Sequence, residues 1–338
     1  MRMDTTKLLN TLIARKNLSE KEAGEFLEGI MSGTVSAVQA GAILTALRMK
    51  GESAPEVLGF IKTMRANMLT ISAPNAMDIV GTGGDGTGTF NISTASAFVA
   101  RGAGVKIAKH GNRAASSKCG SADVLEALGV KIELTPTQAE EVFKNAGMVF
   151  LFAPLYHPSM KQVVLVRKEL KIRTIFNVLG PFSNPASTKR QLVGVPNAEL
   201  AKKLSEVAQG LGYEHLLIIT SDDGMDEASI SAKTKVFEIS RKSSKNYIID
   251  PAKLGFKRAP AAALRGGTAE ENAGIIRSIL SGEKGPKRDI VVLNAGLALY
   301  AASAAKTTKE GVALAERALD SGSARAALES LIKNSNAV

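Results

Sequence analysis

Over the first 70 residues apolar side chains recur at the three- and four-residue spacing that gathers them on one face of a helix. Ser19-Glu20-Lys21-Glu22 and Ser53-Ala54-Pro55-Glu56 each place a hydroxyl three residues ahead of a glutamate, a pairing that satisfies the free N–H groups at a helix start. Residues 1–72 are read as a small all-helical N-terminal subdomain. After Ser72-Ala73-Pro74-Asn75 the pattern changes to short apolar runs alternating with helical stretches, which predicts a larger α/β domain with a mainly parallel sheet flanked by helices. Strands are expected near Met77 to Val80, Val105 to Ala108, Lys131 to Leu134, Val149 to Phe152, Leu192 to Val195 and Leu216 to Thr220, with further ones at Val236 to Ile239 and Tyr247 to Ile249. Thr135-Pro136-Thr137-Gln138 predicts a capped helix start, with proline at the first helical position. From about Thr268 Ala-rich helical patterns run to a stop near Asn334.

Composition narrows the class. With 45% hydrophobic and 22% charged residues in 338, the chain can bury one large core or two smaller ones. Its single cysteine, Cys119, excludes an intramolecular disulfide and a Cys-based zinc site, and fits the cytoplasm. No run of 18 apolar residues occurs and the N-terminus lacks a signal-peptide core, so neither membrane insertion nor secretion is expected. The net charge of +11 is concentrated locally: Lys233 to Arg258 holds eight Lys or Arg against two acids. With 4% aromatics, no Trp and no stacking platform beside that segment, a solvated basic face is expected there, and no nucleic-acid partner.

The densest chemical signal follows the first predicted strand, in Gly81-Thr82-Gly83-Gly84-Asp85-Gly86-Thr87-Gly88-Thr89-Phe90-Asn91-Ile92-Ser93-Thr94. Five glycines within eight residues let backbone N–H groups approach an anion, and Ser93 and Thr94 open a helix whose dipole favours phosphate. The Gly81-x-Gly83-x-x-Gly86 spacing matches a dinucleotide fingerprint only formally, because about 20 residues on stand Arg101 and Gly102, with no acid for a ribose hydroxyl. Asp85 would repel a bare pyrophosphate but suits one carrying Mg²⁺, or a ribose hydroxyl. No Lys-Ser or Lys-Thr pair follows the glycines, which excludes a Walker A loop.

A second polar segment, Lys109-His110-Gly111-Asn112-Arg113-Ala114-Ala115-Ser116-Ser117-Lys118-Cys119-Gly120-Ser121, is expected directly after the next strand as the other wall of one anion site. Lys109 offers a point charge, Asn112 an amide, and Ser116, Ser117 and Ser121 short donors. Asp226 and Glu227, after the strand ending at Thr220, are either solvated charges or oxygen ligands for Mg²⁺; Asp222 and Asp223 are read as solvated. His110, His157 and His215 form no triad or metal set by spacing. His215 reads as structural, and His110 and His157 stay open between packing and lining the site. Cys119 has no evident His partner, which argues against a nucleophile.

Taken in order, these runs, with Phe152-Ala153-Pro154-Leu155-Tyr156-His157-Pro158, Arg167, Arg173-Thr174-Ile175-Phe176-Asn177-Val178-Leu179-Gly180-Pro181 and Asp226-Glu227, resemble the signatures of the anthranilate phosphoribosyltransferases, in the nucleoside phosphorylase/phosphoribosyltransferase superfamily. The similarity spans nearly the whole chain. It implies that Gly81, Gly84, Asp85, Thr89, Asn91, Ile92, Ser93 and Thr94 surround phosphoribosyl pyrophosphate, together with Lys109, His110, Gly111, Asn112, Arg113, Ala114, Ala115, Ser116, Ser117 and Ser121. It implies that Ser93, Asp226 and Glu227 serve Mg²⁺, two ions per site, and that Gly81, Asn112 and Arg167 contact anthranilate, Arg167 through its carboxylate. It further implies that a segment near residues 167–188 completes the helical subdomain, leaving 73–166 and 189–338 as the α/β domain, and that the protein is a homodimer. Such a reaction needs no covalent nucleophile, and no residue is assigned as one. The competing readings are a pyrimidine nucleoside phosphorylase, which would transfer to phosphate, and a non-catalytic nucleic-acid-binding relative.

Overall fold

In a computed structural model, residues 3–114, 118–241 and 243–338 are described. The predicted helix starts form as read. Helices α1 (Thr5–Ile13), α2 (Glu20–Met31), α3 (Ala37–Lys50) and α4 (Ala54–Ala66) make up the N-terminal layer. Ser19 Oγ accepts from the Glu22 N–H at 3.2 Å while Glu22 accepts from the Ser19 N–H at 2.9 Å. Glu56, by contrast, is a fully buried carboxylate that receives the N–H groups of Ser53 and Leu18 and the Lys50 ammonium, at 2.7, 2.8 and 2.9 Å. Those donors offset the cost of burying its charge, and they tie the starts of α2 and α4 to the end of α3.

Beyond residue 76 the chain builds a seven-stranded sheet among the described residues: β1 (Met77–Gly81), β2 (Ile107–Gly111), β3 (Met148–Phe152), β4 (Arg190–Gly194), β5 (His215–Ser221), β6 (Thr234–Ser240) and β7 (Ser244–Ile249). Their order is β3-β2-β1-β4-β5-β6-β7, parallel through β5 and antiparallel in the β5–β6–β7 meander. That meander is the pairing of the basic segment that sequence alone leaves open. Four of its cations are paired with acids: Lys235 with Asp222, Arg241 with Glu214, Lys245 with Glu238 and Arg258 with Asp250.

Two expectations need correction. Lys131 to Leu134 is an extended segment outside the sheet; Ile132 and Leu134 are buried, which produces a strand-like alternation, but Lys131 N–H bonds Ser335 Oγ and the Leu134 carbonyl accepts the Tyr156 hydroxyl. Strand β2 begins at Ile107 rather than Val105, because Val105 N–H closes a turn onto Ala100. Lys109, His110 and Gly111 therefore belong to the strand, not to the loop after it.

The period-two alternation of the strands divides the apolar residues between two cores. Leu192, Leu217, Ile219 and Val236 face a core built with the helix α5 (Ile92–Gly102) and the C-terminal helices. Val193, Leu216, Ile218 and Ile239 face the other core, which runs through the helix at Ala198–Gln209 into α1 to α4. The helical layer also takes in Val163, Val166, Ile175, Phe176, Leu179 and Phe182 from the middle of the chain. No described helix is long and apolar enough to cross a membrane.

Candidate active site at the switch point of the sheet

Strand order reverses at β1, since β2 and β3 lie on one side of it and β4 and β5 on the other. Ligands of open α/β sheets bind outside the carboxyl ends of the strands at such a reversal. The segment after β1, the segment after β5 and the start of α5 meet there. The β4 end sets their spacing: Gly194 O accepts from the Thr82 N–H at 2.9 Å, and a Cβ on Gly194 would lie 1.6 Å from the Asp226 carbonyl oxygen.

Residues more than 130 positions apart in sequence are thereby joined. Gly83 N–H donates to Asp226 Oδ2 at 2.7 Å, and a Cβ on Gly81 would lie 2.5 Å from the same oxygen. Asp226 N–H donates to Asp85 Oδ2 at 3.4 Å. Ser93 N–H, in the first turn of α5, donates to Glu227 Oε1 at 3.0 Å. A carboxylate thus stands at the helix N-terminus, where the dipole favours negative charge. Thr87 holds Asp85 through both its N–H and its hydroxyl. Positive φ at Gly83, Gly84, Gly86 and Gly88 explains the glycine density, because side chains are strained in that region.

The acids are crowded and partly desolvated. Burial first, then the Asp85 charge, pushes the Asp226 carboxyl up to about 7. Burial and the neighbouring Asp226 raise Glu227 well above the usual carboxylate range. Asp78, fully buried beneath the loop, is raised to about 6 by burial, although it accepts from Asn184 at 2.8 Å and from the His110 N–H at 3.3 Å. Lys109 is the cation among them. It is buried, bonded to the Ile79 carbonyl and to Ser93 Oγ, and its basicity is lowered by burial against the pull of Asp78 and Glu227. Lys109 thus holds its point charge inside the protein, fixed by the Ile79 carbonyl and Ser93 Oγ.

In the second wall, Ser121 Oγ and the Ala122 N–H both donate to the Asn112 carbonyl, at 3.3 and 3.2 Å, which folds the loop back on its following helix. Arg113 is held by Asp123 and Glu126, so its charge is already matched. Ala114 N–H and Gly120 N–H both donate to Asp123. Ala115, Ser116 and Ser117 lie outside the described residues. Thr94 is fully buried in α5, and its hydroxyl has no hydrogen-bond partner among the described residues.

His110 and His157 sit with ring centroids 5.2 Å apart, and burial holds them neutral, at about 3 and about 4. His110 Nδ1 lies 3.2 Å from the Gly180 carbonyl, so that ring faces the middle segment. His215 pairs with Glu238 at 3.1 Å, away from the cleft. Asp223 is exposed, as read, and accepts from Ser229 Oγ at 2.6 Å in the turn before Asp226. Asp222, also exposed, pairs with exposed Lys235. Cys119 is buried beside Asn91.

Arg167 is half-buried, with its guanidinium 5.8 Å from the Phe176 ring centroid. Sequence reasoning gave no role to a third wall at residues 264–272. Thr89 bridges to Arg265, Gly266 N–H donates to Gly88 O at 3.0 Å, and Asn272 bonds Asn91 at 2.9 Å. The adjacent glycines Gly266 and Gly267 ahead of a capped helix were the available signal.

For a hard cation the donor set is suitable in kind: Asp85, Asp226 and Glu227 supply carboxylate oxygen and Ser93 a hydroxyl. Among the described residues no three acidic, His or Cys groups converge closely enough to hold a metal unaided. That arrangement fits Mg²⁺, which takes one or two carboxylates and completes its shell with water and substrate phosphate.

Comparisons with known proteins agree with this architecture. Residues 6–68 match the helical bundle domain of the glycosyl transferase family and residues 73–325 its a/b domain. The anthranilate phosphoribosyltransferase of Thermomicrobium roseum is 49% identical over 337 residues, 98% of this chain and 97% of that protein. The crystal structure of the Thermus thermophilus anthranilate phosphoribosyltransferase superposes with a TM-score of 0.91 at 42% identity, covering 97% of this chain and 99% of that one. The Saccharomyces cerevisiae enzyme in complex with PRPP and Mg gives 0.92 at 29% identity, with both chains covered in full. With both domain models matched in order and near half of its residues shared across the full length of such relatives, this chain belongs to the anthranilate phosphoribosyltransferase family.

Proposed function

We propose that the chain transfers the phosphoribosyl group of phosphoribosyl pyrophosphate to the amine of anthranilate, giving N-(5-phosphoribosyl)anthranilate and pyrophosphate, a step of tryptophan biosynthesis. The observation that carries it is the meeting of the glycine loop, the α5 start and the Asp226-Glu227 pair at the switch point of the sheet. Family members have been seen with PRPP and Mg and with 4-fluoroanthranilate, which supports both substrates and the metal here.

In this reading the donor lies between the Gly81–Thr94 and Lys109–Ser121 walls. Ser93, Asp226 and Glu227 hold Mg²⁺, two ions per site. The metal supplies charge neutralisation at the departing pyrophosphate. Arg167, with Gly81 and Asn112, receives the acceptor and orients its carboxylate. The aromatic amine is uncharged at neutral pH and attacks the ribose C1 directly. Catalysis thus rests on orientation and electrostatics, and the absence of any assigned covalent nucleophile is consistent with that.

The test is to mix protein, phosphoribosyl pyrophosphate, anthranilate and Mg²⁺ and follow the loss of anthranilate fluorescence. Turnover should stop with excess chelator and resume on adding Mg²⁺. Full turnover in chelator, or phosphorolysis of a pyrimidine nucleoside without anthranilate consumption, would overturn the reading.

The homodimer has its own support. Leu9, Ile13, Val38, Gly41, Met49 and Leu170 line an apolar groove on α1, α3 and the helix at Lys161–Leu170, with Val38 83% and Met49 76% exposed. Exposed apolar surface of this kind marks an interface, here with a second copy. Val38→Glu should convert the protein to a monomer by light scattering, with its circular dichroism unchanged; an unaltered mass would remove this face from the interface.

A further inference from the structure

We propose that Arg173 is a positioning residue that fastens the glycine loop of the donor wall to the segment carrying Arg167, and so fixes the distance between the two substrates. The inference rests on the reaction proposed above and deepens it. Arg173 Nη1 donates to the Gly84 carbonyl at 2.8 Å and Nη2 lies 3.4 Å from the Gly83 carbonyl, across 89 and 90 residues of sequence. A Cβ on Gly84 would lie 2.2 Å from Nη1, so the guanidinium rests directly on the bare backbone.

Both ends of this link are set by local structure. On one side, Gly83 and Gly84 have φ of +68° and +75°, and the Gly83 N–H is taken by Asp226 at 2.7 Å. The loop peptides are therefore gripped from opposite faces, a carboxylate on the N–H side and a guanidinium on the carbonyl side. On the other side, Lys171 adopts a left-handed φ of 52° and its N–H caps the Arg167 carbonyl at 3.1 Å. Thr174 is buried, with its N–H bonded to Asn177 Oδ1 at 3.0 Å. Arg173 is thus presented from a braced turn six residues after Arg167. Among the described residues no carboxylate lies within ion-pair distance of Arg173, so the loop carbonyls are the acceptors its charge has found.

Because the side chain is exposed, these hydrogen bonds compete with water and contribute little to global stability. Their effect is on geometry, and a misplacement of about 1 Å between reacting groups costs roughly 100-fold in rate. Arg173→Ala should therefore lower kcat about 10- to 100-fold while leaving each KM within about threefold, and Arg173→Lys, which keeps a donor of similar reach, should recover part of the loss. A wild-type kcat in the alanine variant would overturn the proposal. So would a rise in either KM larger than the fall in kcat, which would make Arg173 a substrate ligand. Amide exchange across residues 81–90, measured without substrates, is the independent arm: it should quicken in Arg173→Ala and not elsewhere, and unchanged exchange sinks the latch whatever reaction the protein performs. An inactive wild-type protein, with that exchange difference present, would instead fault the proposed reaction.

Discussion

The double variant Asp226→Asn, Glu227→Gln should lose about 10³-fold or more in kcat/KM, the scale expected when charge stabilisation of a leaving group is removed. Its thermal midpoint without Mg²⁺ should nonetheless equal or exceed that of the unaltered protein. The two amides can accept the same hydrogen bonds, from Gly83 and Ser93, that the carboxylates accept. What disappears is the repulsion among Asp85, Asp226 and Glu227 and the burial of their charge. The sign follows from linkage. A carboxyl at 3.8 in the unfolded chain and about 7 in the folded one keeps its proton only when folded, so stability falls as pH rises through that interval and stays low above it. At pH 7 the acids therefore destabilise the metal-free protein, a cost that catalysis justifies. Parallel kinetics and melting curves decide. Wild-type turnover would make the acids mere surface charge, and a midpoint several degrees lower would make them structural.

Arg167→Ala should raise the KM for anthranilate by roughly 30-fold, corresponding to about 2 kcal/mol for a charge-assisted contact in a partly desolvated site. The KM for phosphoribosyl pyrophosphate should move much less, since the donor's phosphates are assigned to the Gly81–Thr94 and Lys109–Ser121 walls. Arg167 is half-buried, rests near the Phe176 ring, and has no carboxylate within ion-pair distance among the described residues. Burial lowers its basicity, so an arriving carboxylate would relieve an existing strain on the charge. The alternative is a helix-surface arginine whose removal is silent. Kinetics with each substrate varied in turn separate the two, and an uncharged amide analogue of anthranilate should show little difference between wild type and variant. An unchanged anthranilate KM removes Arg167 from the acceptor site.

Local signals were the most legible in the sequence. The Ser19 and Thr135 helix starts depend on residues three apart, and both form as read. Strands β1, β3, β4 and β5 were found because each is a short apolar run bounded by breakers. Lys131 to Leu134 misled for the same reason: burial alone produces the alternation, and whether a neighbouring strand is in register cannot be seen locally. Within the site, Gly81 to Thr94 announced itself by its glycines. The reach of Arg173 to Gly84, the burial of Lys109 and the closing of the loop by residues 265–272 depend on contacts 30 to 181 positions apart, such as Lys109 with Ile79 and Asn272 with Asn91. A linear pattern carries no trace of such pairings. Asp226 and Glu227 lay between these cases, since their spacing permitted either solvated charges or ligands and only the family resemblance favoured the second.

Gly194 packs directly against the Asp226 carbonyl. Main chain rests on main chain there, with no side chain between, and a backbone contact has no rotamers to sample. The carboxylates after β5 therefore inherit the stiffness of the middle of the sheet instead of the looseness usual for a surface loop. The entropy of placing them is lost once, when the chain folds, and does not recur at each turnover.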